Sequence, residues 1–100
     1  MATTIKAFGR GAFATSSATL YTVPASTTSL VTNIIVTNEN AAEQTFTITL
    51  DSVSIFYQTA IAANSTATLD LKQALATTKI ISGYASSTDV KYHITGAEIA

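Results

Sequence analysis

Residues 20–51 read LYTVPASTTSLVTNIIVTNENAAEQTFTITLD, three runs of β-branched and aromatic residues parted by two polar turns. The last run decides the fold. Thr45-Phe46-Thr47-Ile48-Thr49-Leu50 alternates polar and apolar residues without a break. A period of two sends Phe46, Ile48 and Leu50 to one face and the threonines to the other, as a half-buried strand requires. A helix would scatter the same side chains around its axis.

Working outward, Thr19 to Val23 is a short strand ended by Pro24, whose nitrogen has no hydrogen to donate. Ser29 to Asn38 is the longest candidate, with Leu30, Thr32, Ile34 and Val36 expected on one face and Val31, Asn33, Ile35 and Thr37 on the other. Asn38 to Glu43 is a polar loop in which asparagine accepts left-handed backbone angles. Asp51-Ser52 is a tight turn into Val53 to Thr59, where Val53, Ile55 and Tyr57 alternate with Ser54 and Phe56. Thr66 to Leu71 turns Ala67, Leu69 and Leu71 to one face, and Lys72 to Thr77 is expected to close as one helical turn. Lys79 to Ala85 is a strand with Gly83 as a bulge or close approach. Asp89 to Ile94 alternates with Val90, Tyr92 and Ile94 inward and Lys91 and His93 outward. About seven short strands at roughly ten-residue spacing, without an amphipathic helix, predict a single antiparallel β-sandwich of the jelly-roll or immunoglobulin-like kind. No exact internal repeat is present.

Residues 1–18 differ from the rest. Gly9 and Gly11 flank Arg10, and neither strand nor helix period is clear. They are read as an N-terminal arm preceding a sandwich domain over residues 19–100. Ile5, Phe8, Arg10 and Phe13 are its candidate anchors, on the body or on an adjacent subunit, because buried aromatics dominate interface energetics.

Composition narrows the function classes. Hydrophobic residues make up 47% of the chain and charged residues 11%, well below the roughly 25% of an average domain. Threonine, serine and alanine fill the gap, so a folded domain is expected whose surface partly meets protein. The net charge of −1 and the dispersed Lys6, Arg10, Lys72, Lys79 and Lys91 give no footprint for nucleic acid. No apolar run approaches the ~18 residues of a membrane span. The opening residues lack a signal-peptide layout, and with no cysteine there is neither disulfide framework nor thiolate metal site. An origin or assembly inside a cell is the expectation.

Little suggests chemistry. His93 is the single histidine, with Asp89 and Lys91 near it in sequence, and no nucleophile-elbow motif accompanies the many serines. The bland reading, a surface histidine, is preferred. Scattered carboxylates match no metal spacing, although Glu39 and Glu43 flank a loop that suits a weak calcium ion as well as plain solvent. Gly9-Arg10-Gly11 lacks the context of a phosphate loop. Asn64-Ser65-Thr66 is better read as a turn than as a glycosylation acceptor. Tyr21, Tyr57, Tyr84 and Tyr92 would suit a sugar-stacking platform, but Tyr57 and Tyr92 fall in inward registers. No catalytic residue and no cofactor are expected.

Leu20-Tyr21-Thr22-Val23-Pro24-Ala25, followed by Thr28-Ser29-Leu30-Val31-Thr32-Asn33-Ile34-Ile35-Val36, resembles small virion proteins of tailed bacteriophages. Ala60-Ile61-Ala62-Ala63-Asn64-Ser65, Gly83-Tyr84-Ala85-Ser86-Ser87 and Gly96-Ala97-Glu98-Ile99 are similar in kind. The resemblance implies a β-sandwich serving as a virion part assembled in the host bacterial cytoplasm. A capsid decoration (cement) protein is the preferred expectation: a homo-oligomer that bridges major capsid subunits, with no nucleic acid or membrane partner. A tail or baseplate component is the alternative, and a carbohydrate-binding or adhesive module is the rival from another class.

Overall fold

The computed structural model describes residues 2–100 and contains no helix. Eight strands follow in order: β1 Thr3–Ala12, β2 Ala18–Thr22, β3 Thr28–Asn38, β4 Gln44–Leu50, β5 Val53–Ile61, β6 Ser65–Leu75, β7 Ile80–Ala85 and β8 Val90–Ile99. They form two four-stranded sheets, β1-β8-β3-β6 and β2-β7-β4-β5, antiparallel throughout. β1 pairs with β8, β2 with β7, β3 with β6 and β4 with β5. The chain is therefore one long hairpin, β1–β4 out and β5–β8 back, rolled into two layers. That connectivity is a jelly roll, the first of the two expected sandwich types.

The tip of the hairpin is Asp51-Ser52. Both residues have positive φ, 51° and 64°, the backbone of a primed two-residue turn that matches the twist of its strands. Lys79 lies 3.7 Å from the Asp51 carboxylate, an exposed pair of small energetic weight.

The core fills the space between the layers. Phe13, Phe46, Ile34, Ile48, Ile81, Ile94, Val31, Val36 and Val90 are fully buried, so the alternation that predicted Phe46, Ile48 and Leu50 inward holds. Each such side chain contributes about 1.5–3 kcal/mol relative to exposure. Gly83 is a close approach, as expected: a Cβ there would stand 2.7 Å from the Thr47 carbonyl and 3.1 Å from the Phe13 ring.

Bulges account for most departures from the sequence reading. β3 shifts register against both neighbours between Val31 and Asn33. One extra residue there reverses the face of everything beyond it. Ser29 and Val31 therefore point inward at one end of β3, and Ile34, Val36 and Asn38 at the other. Leu30, expected to share a face with Ile34, turns outward instead. Two further shifts separate β4 from β5, where Gln58 adopts φ 46°. They swing Tyr57, expected inward, out to 66% exposure. The helical turn expected over residues 72–77 is absent: β6 runs on to Leu75, held by pairing with Ser29 and Leu30.

The largest correction concerns the separate arm of residues 1–18. Met1 lies outside the described residues, but Thr3–Ala12 is a full edge strand paired to β8 along its length. Its period is blurred by a bulge between Ala7 and Gly9, the physical reason it does not read as a strand. The segment belongs to the sandwich.

Candidate functional site

The four candidate anchors divide into two pairs. Phe8 and Phe13 point into the chain's own core at 7% and 0% exposure. Phe8 stacks on Tyr21 of β2 with ring centroids 4.1 Å apart and planes 10° from parallel. Phe13 packs against Tyr92 at 4.9 Å and Phe46 at 6.4 Å. They anchor the segment to the body, and neither offers a ring to a partner. Ile5 and Arg10 remain outside. Ile5 is 83% exposed, the most exposed large apolar residue described. Arg10 is exposed and has no carboxylate partner among the described residues.

Where β1 meets β2, a polar cluster closes the seam between the sheets. The Tyr21 hydroxyl donates to Glu98 Oε2 at 2.5 Å and lies 2.7 Å from Ser29 Oγ. Lys6 Nζ stands 3.4 Å from Glu98 Oε1. Burial, reinforced by the hydrogen bond to Glu98, pushes the Tyr21 phenol up to about 12. Four strands meet here, since Lys6 is on β1, Tyr21 on β2, Ser29 on β3 and Glu98 on β8. Sequence patterning did not find this cluster, because its members lie up to 92 residues apart.

At one end of the sandwich, the fully buried Asn38 ties the loop that follows it to the turn between β5 and β6. Its amide nitrogen reaches the carbonyls of Ala42, Ile61 and Ala62 at 3.0–3.2 Å. Its oxygen accepts the Asn40 amide at 2.9 Å. Asn40 in turn donates to Asp89 at 3.0 Å. The asparagines of this loop thus act through hydrogen bonds. The left-handed angle expected of them falls at Asn64, φ 53°, in the turn before β6.

The residues examined for chemistry do not converge. His93 is exposed on β8, level with Arg10 on β1 and Ile35 on β3. Asp89 is engaged by Asn40, and Lys91 pairs with Glu39 at 3.3 Å. Among the described residues no group of three or more His, Asp or Glu is close enough to share a metal ion. Tyr92 is buried, Tyr21 and Tyr84 are half-buried, and Tyr57 is exposed on β5.

An open groove of about 580 Å³ lies on the β6 side of its sheet. Leu30 and Thr32 of β3 and Asp70, Leu71 and Lys72 of β6 line it. It opens where both strands break register, between Val31 and Asn33 on one and between Gln73 and Asp70 on the other. Its lining is mostly apolar, with Asp70 and Lys72 at the rim.

No family model matches the chain, and a search of curated proteins finds no match either.

Proposed function

We propose that this chain is a non-enzymatic structural protein of a bacteriophage virion, seated on the capsid as a decoration protein that bridges major capsid subunits. One observation carries the reading most directly: the sandwich leaves long backbone edges open, and one of them, β5, carries no charge. β1, β5 and β6 are edge strands of 10, 9 and 11 residues. β5 holds neither a charge nor a proline, the devices that normally keep an edge from pairing. Ile5, Val53 and Tyr57 stand exposed on these edges. A surface of this kind gains by being covered with protein. The resemblance of the LYTVPA stretch and the threonine-rich strands to small tailed-phage virion proteins supplies the context. Jelly rolls also serve as lectins, so the fold by itself leaves the class open.

Decoration needs only modest affinity per copy, because many simultaneous contacts raise the effective affinity of the assembly. A tail or baseplate location would use the same surfaces. A sugar-binding module would need clustered solvent-facing aromatics, and of the four tyrosines Tyr57 alone is exposed.

The test starts from particles made in cells lacking the gene, to which the purified protein is added. The protein is expected to bind at many copies per particle and to raise the temperature at which DNA is released. Unbound protein and an unchanged release temperature overturn the proposal. Binding confined to the tail selects the alternative site.

A further inference from the structure

Arg10 on β1 and His93 on β8 are register partners, and both are exposed. Tyr92 and Ile94, on either side of His93, are buried in the core, so the pair stands on the outer face of the β1-β8-β3-β6 sheet. The phase of the ladder brings the two side chains close. Phe13 donates its amide to the Val90 carbonyl at 2.9 Å, and the register from there back to Arg10 is unbroken. Backbone bonding alternates along an antiparallel pair, so Arg10 and His93 fall at a position without ladder bonds, where side chains stand nearest. Directly opposed residues of this kind have Cβ atoms about 4.5–5.5 Å apart.

We propose that this pair is an anion-binding site whose ligand is a carboxylate on the surface of a neighbouring virion protein. The inference deepens the proposed function by naming the chemistry of one contact, and rests on that reading for the identity of the partner.

Three features support it. The first is the lack of an internal partner. Among the described residues neither side chain takes part in an ion pair or a side-chain hydrogen bond. Acids of the same sheet region are already engaged, Glu39 by Lys91 at 3.3 Å and Asp70 by the Asn33 amide at 3.1 Å. The fold therefore supplies no anion to the pair.

The second is donor chemistry. Arg10 is always charged and offers its N–H groups in a planar fork that matches the two oxygens of a carboxylate. The imidazole opposite adds at least one further N–H.

The third is the setting. Ala7 and Ala12 on β1 are small and exposed, so they leave the guanidinium uncovered. The half-buried Ile35 lies level with His93 on β3 and gives the site an apolar flank. A nucleic acid or an anionic membrane would call for a spread of free cations. One free guanidinium on a chain of net charge −1 fits one carboxylate better.

The experiment has two arms, both on the full chain. In the first, sodium acetate, sodium chloride and sodium phosphate are titrated at matched ionic strength while NMR follows the Arg10 side-chain N–H and the His93 ring. Acetate is expected to move both signals, chloride neither, and Arg10→Gln is expected to abolish the His93 response. Signals that ignore acetate, or that follow chloride equally, overturn the site. A larger response to phosphate than to acetate overturns the carboxylate assignment.

The second arm compares wild type, Arg10→Glu and Arg10→Lys for binding to particles made without the gene. Arg10 is exposed, so both variants are expected to melt with the wild type. Arg10→Glu is expected to weaken binding about tenfold, the worth of one charge-assisted hydrogen bond. Arg10→Lys keeps the charge without the fork and is expected to lose less. Binding unchanged in Arg10→Glu overturns the inference and leaves the proposed role standing. A wild type that binds no particle removes the role and, with it, the partner named here.

Discussion

The two seams where the sheets meet are built on opposite plans. At the β1/β2 seam, Phe8 stacks on Tyr21, and the Tyr21 hydroxyl reaches across to Glu98 and Ser29. At the β5/β6 seam no hydrogen bond joins the two strands among the described residues. Ile55, Phe56, Leu69 and Leu71 cover the core there only in part. The first seam is locked by aromatic packing and directed polar bonds, the second by apolar contact alone. The difference teaches where rigidity is placed: β1, the strand with the least regular pattern, is the one fastened most specifically. In a domain of this size, stabilised by ~5–15 kcal/mol in all, one seam is a large share.

The largest break is expected from Phe8→Ala. It removes the stacking partner of Tyr21 and empties a site that is 7% exposed, at a cost of about 3–5 kcal/mol. Chemical denaturation would show it as a lower midpoint with an unchanged slope. A loss under ~1 kcal/mol would mean that the seam is held by β1–β8 pairing instead. Gly96→Ala attacks the same place from the other side. A Cβ on Gly96 would overlap the Leu30 carbonyl and the Phe8 ring, so the ring must leave Tyr21 or β8 must shift. Overpacking of this kind costs about 2–3 kcal/mol. The near-ultraviolet signal of the aromatics should change with it.

Tyr21→Phe sharpens the comparison by keeping the stack and deleting the polar bonds. Its cost is expected at about 1–2 kcal/mol near neutral pH. The pH dependence identifies the group. Folded Tyr21 holds its proton to about 12, above its ordinary value of 10.0. Its contribution is therefore complete below pH 10.0 and is lost as pH rises toward about 12, where the unfolded chain releases the proton first. The stability gap between wild type and variant should close over that window. Glu98, which accepts from the hydroxyl, and Lys6, which pairs with Glu98, are common to both proteins, so the difference isolates Tyr21. A gap that stays constant through the window would show that the hydroxyl contributes no such bond.

Legibility in the sequence followed the same division. β4 was readable because Thr45 to Leu50 keeps strict alternation through to a two-residue turn. β8 was readable from Val90, Tyr92 and Ile94. What failed was phase across bulges. Leu30 lies across an added residue from Ile34 and Tyr57 lies within the irregularity of β5, and no side-chain type marks either. β1 was hidden twice, by the bulge at Phe8 and by Gly9 and Gly11, which weaken a strand reading although pairing with β8 sustains it. The candidate anchors were picked out by composition, which had no means of telling the inward Phe8 and Phe13 from the outward Ile5 and Arg10. The seam cluster was out of reach altogether, since Lys6 and Glu98 become neighbours only once β1 and β8 pair.

The smallest effect is expected at the other seam, and its smallness is informative. Tyr57 is 66% exposed on β5, so most of its ring faces solvent in the isolated chain. Tyr57→Ser removes area that folding leaves mostly uncovered, so stability should stay within about 0.5 kcal/mol. That corresponds to a thermal shift of no more than roughly 4 °C for a domain of this size. If the β5 edge is covered in the assembled state, the same substitution should weaken particle binding while leaving the monomer's melting unchanged. The two measurements separate a residue kept for folding from one kept for contact. A drop in melting temperature comparable to that of Phe8→Ala would instead place Tyr57 within the fold's own support and erase the contrast between the seams.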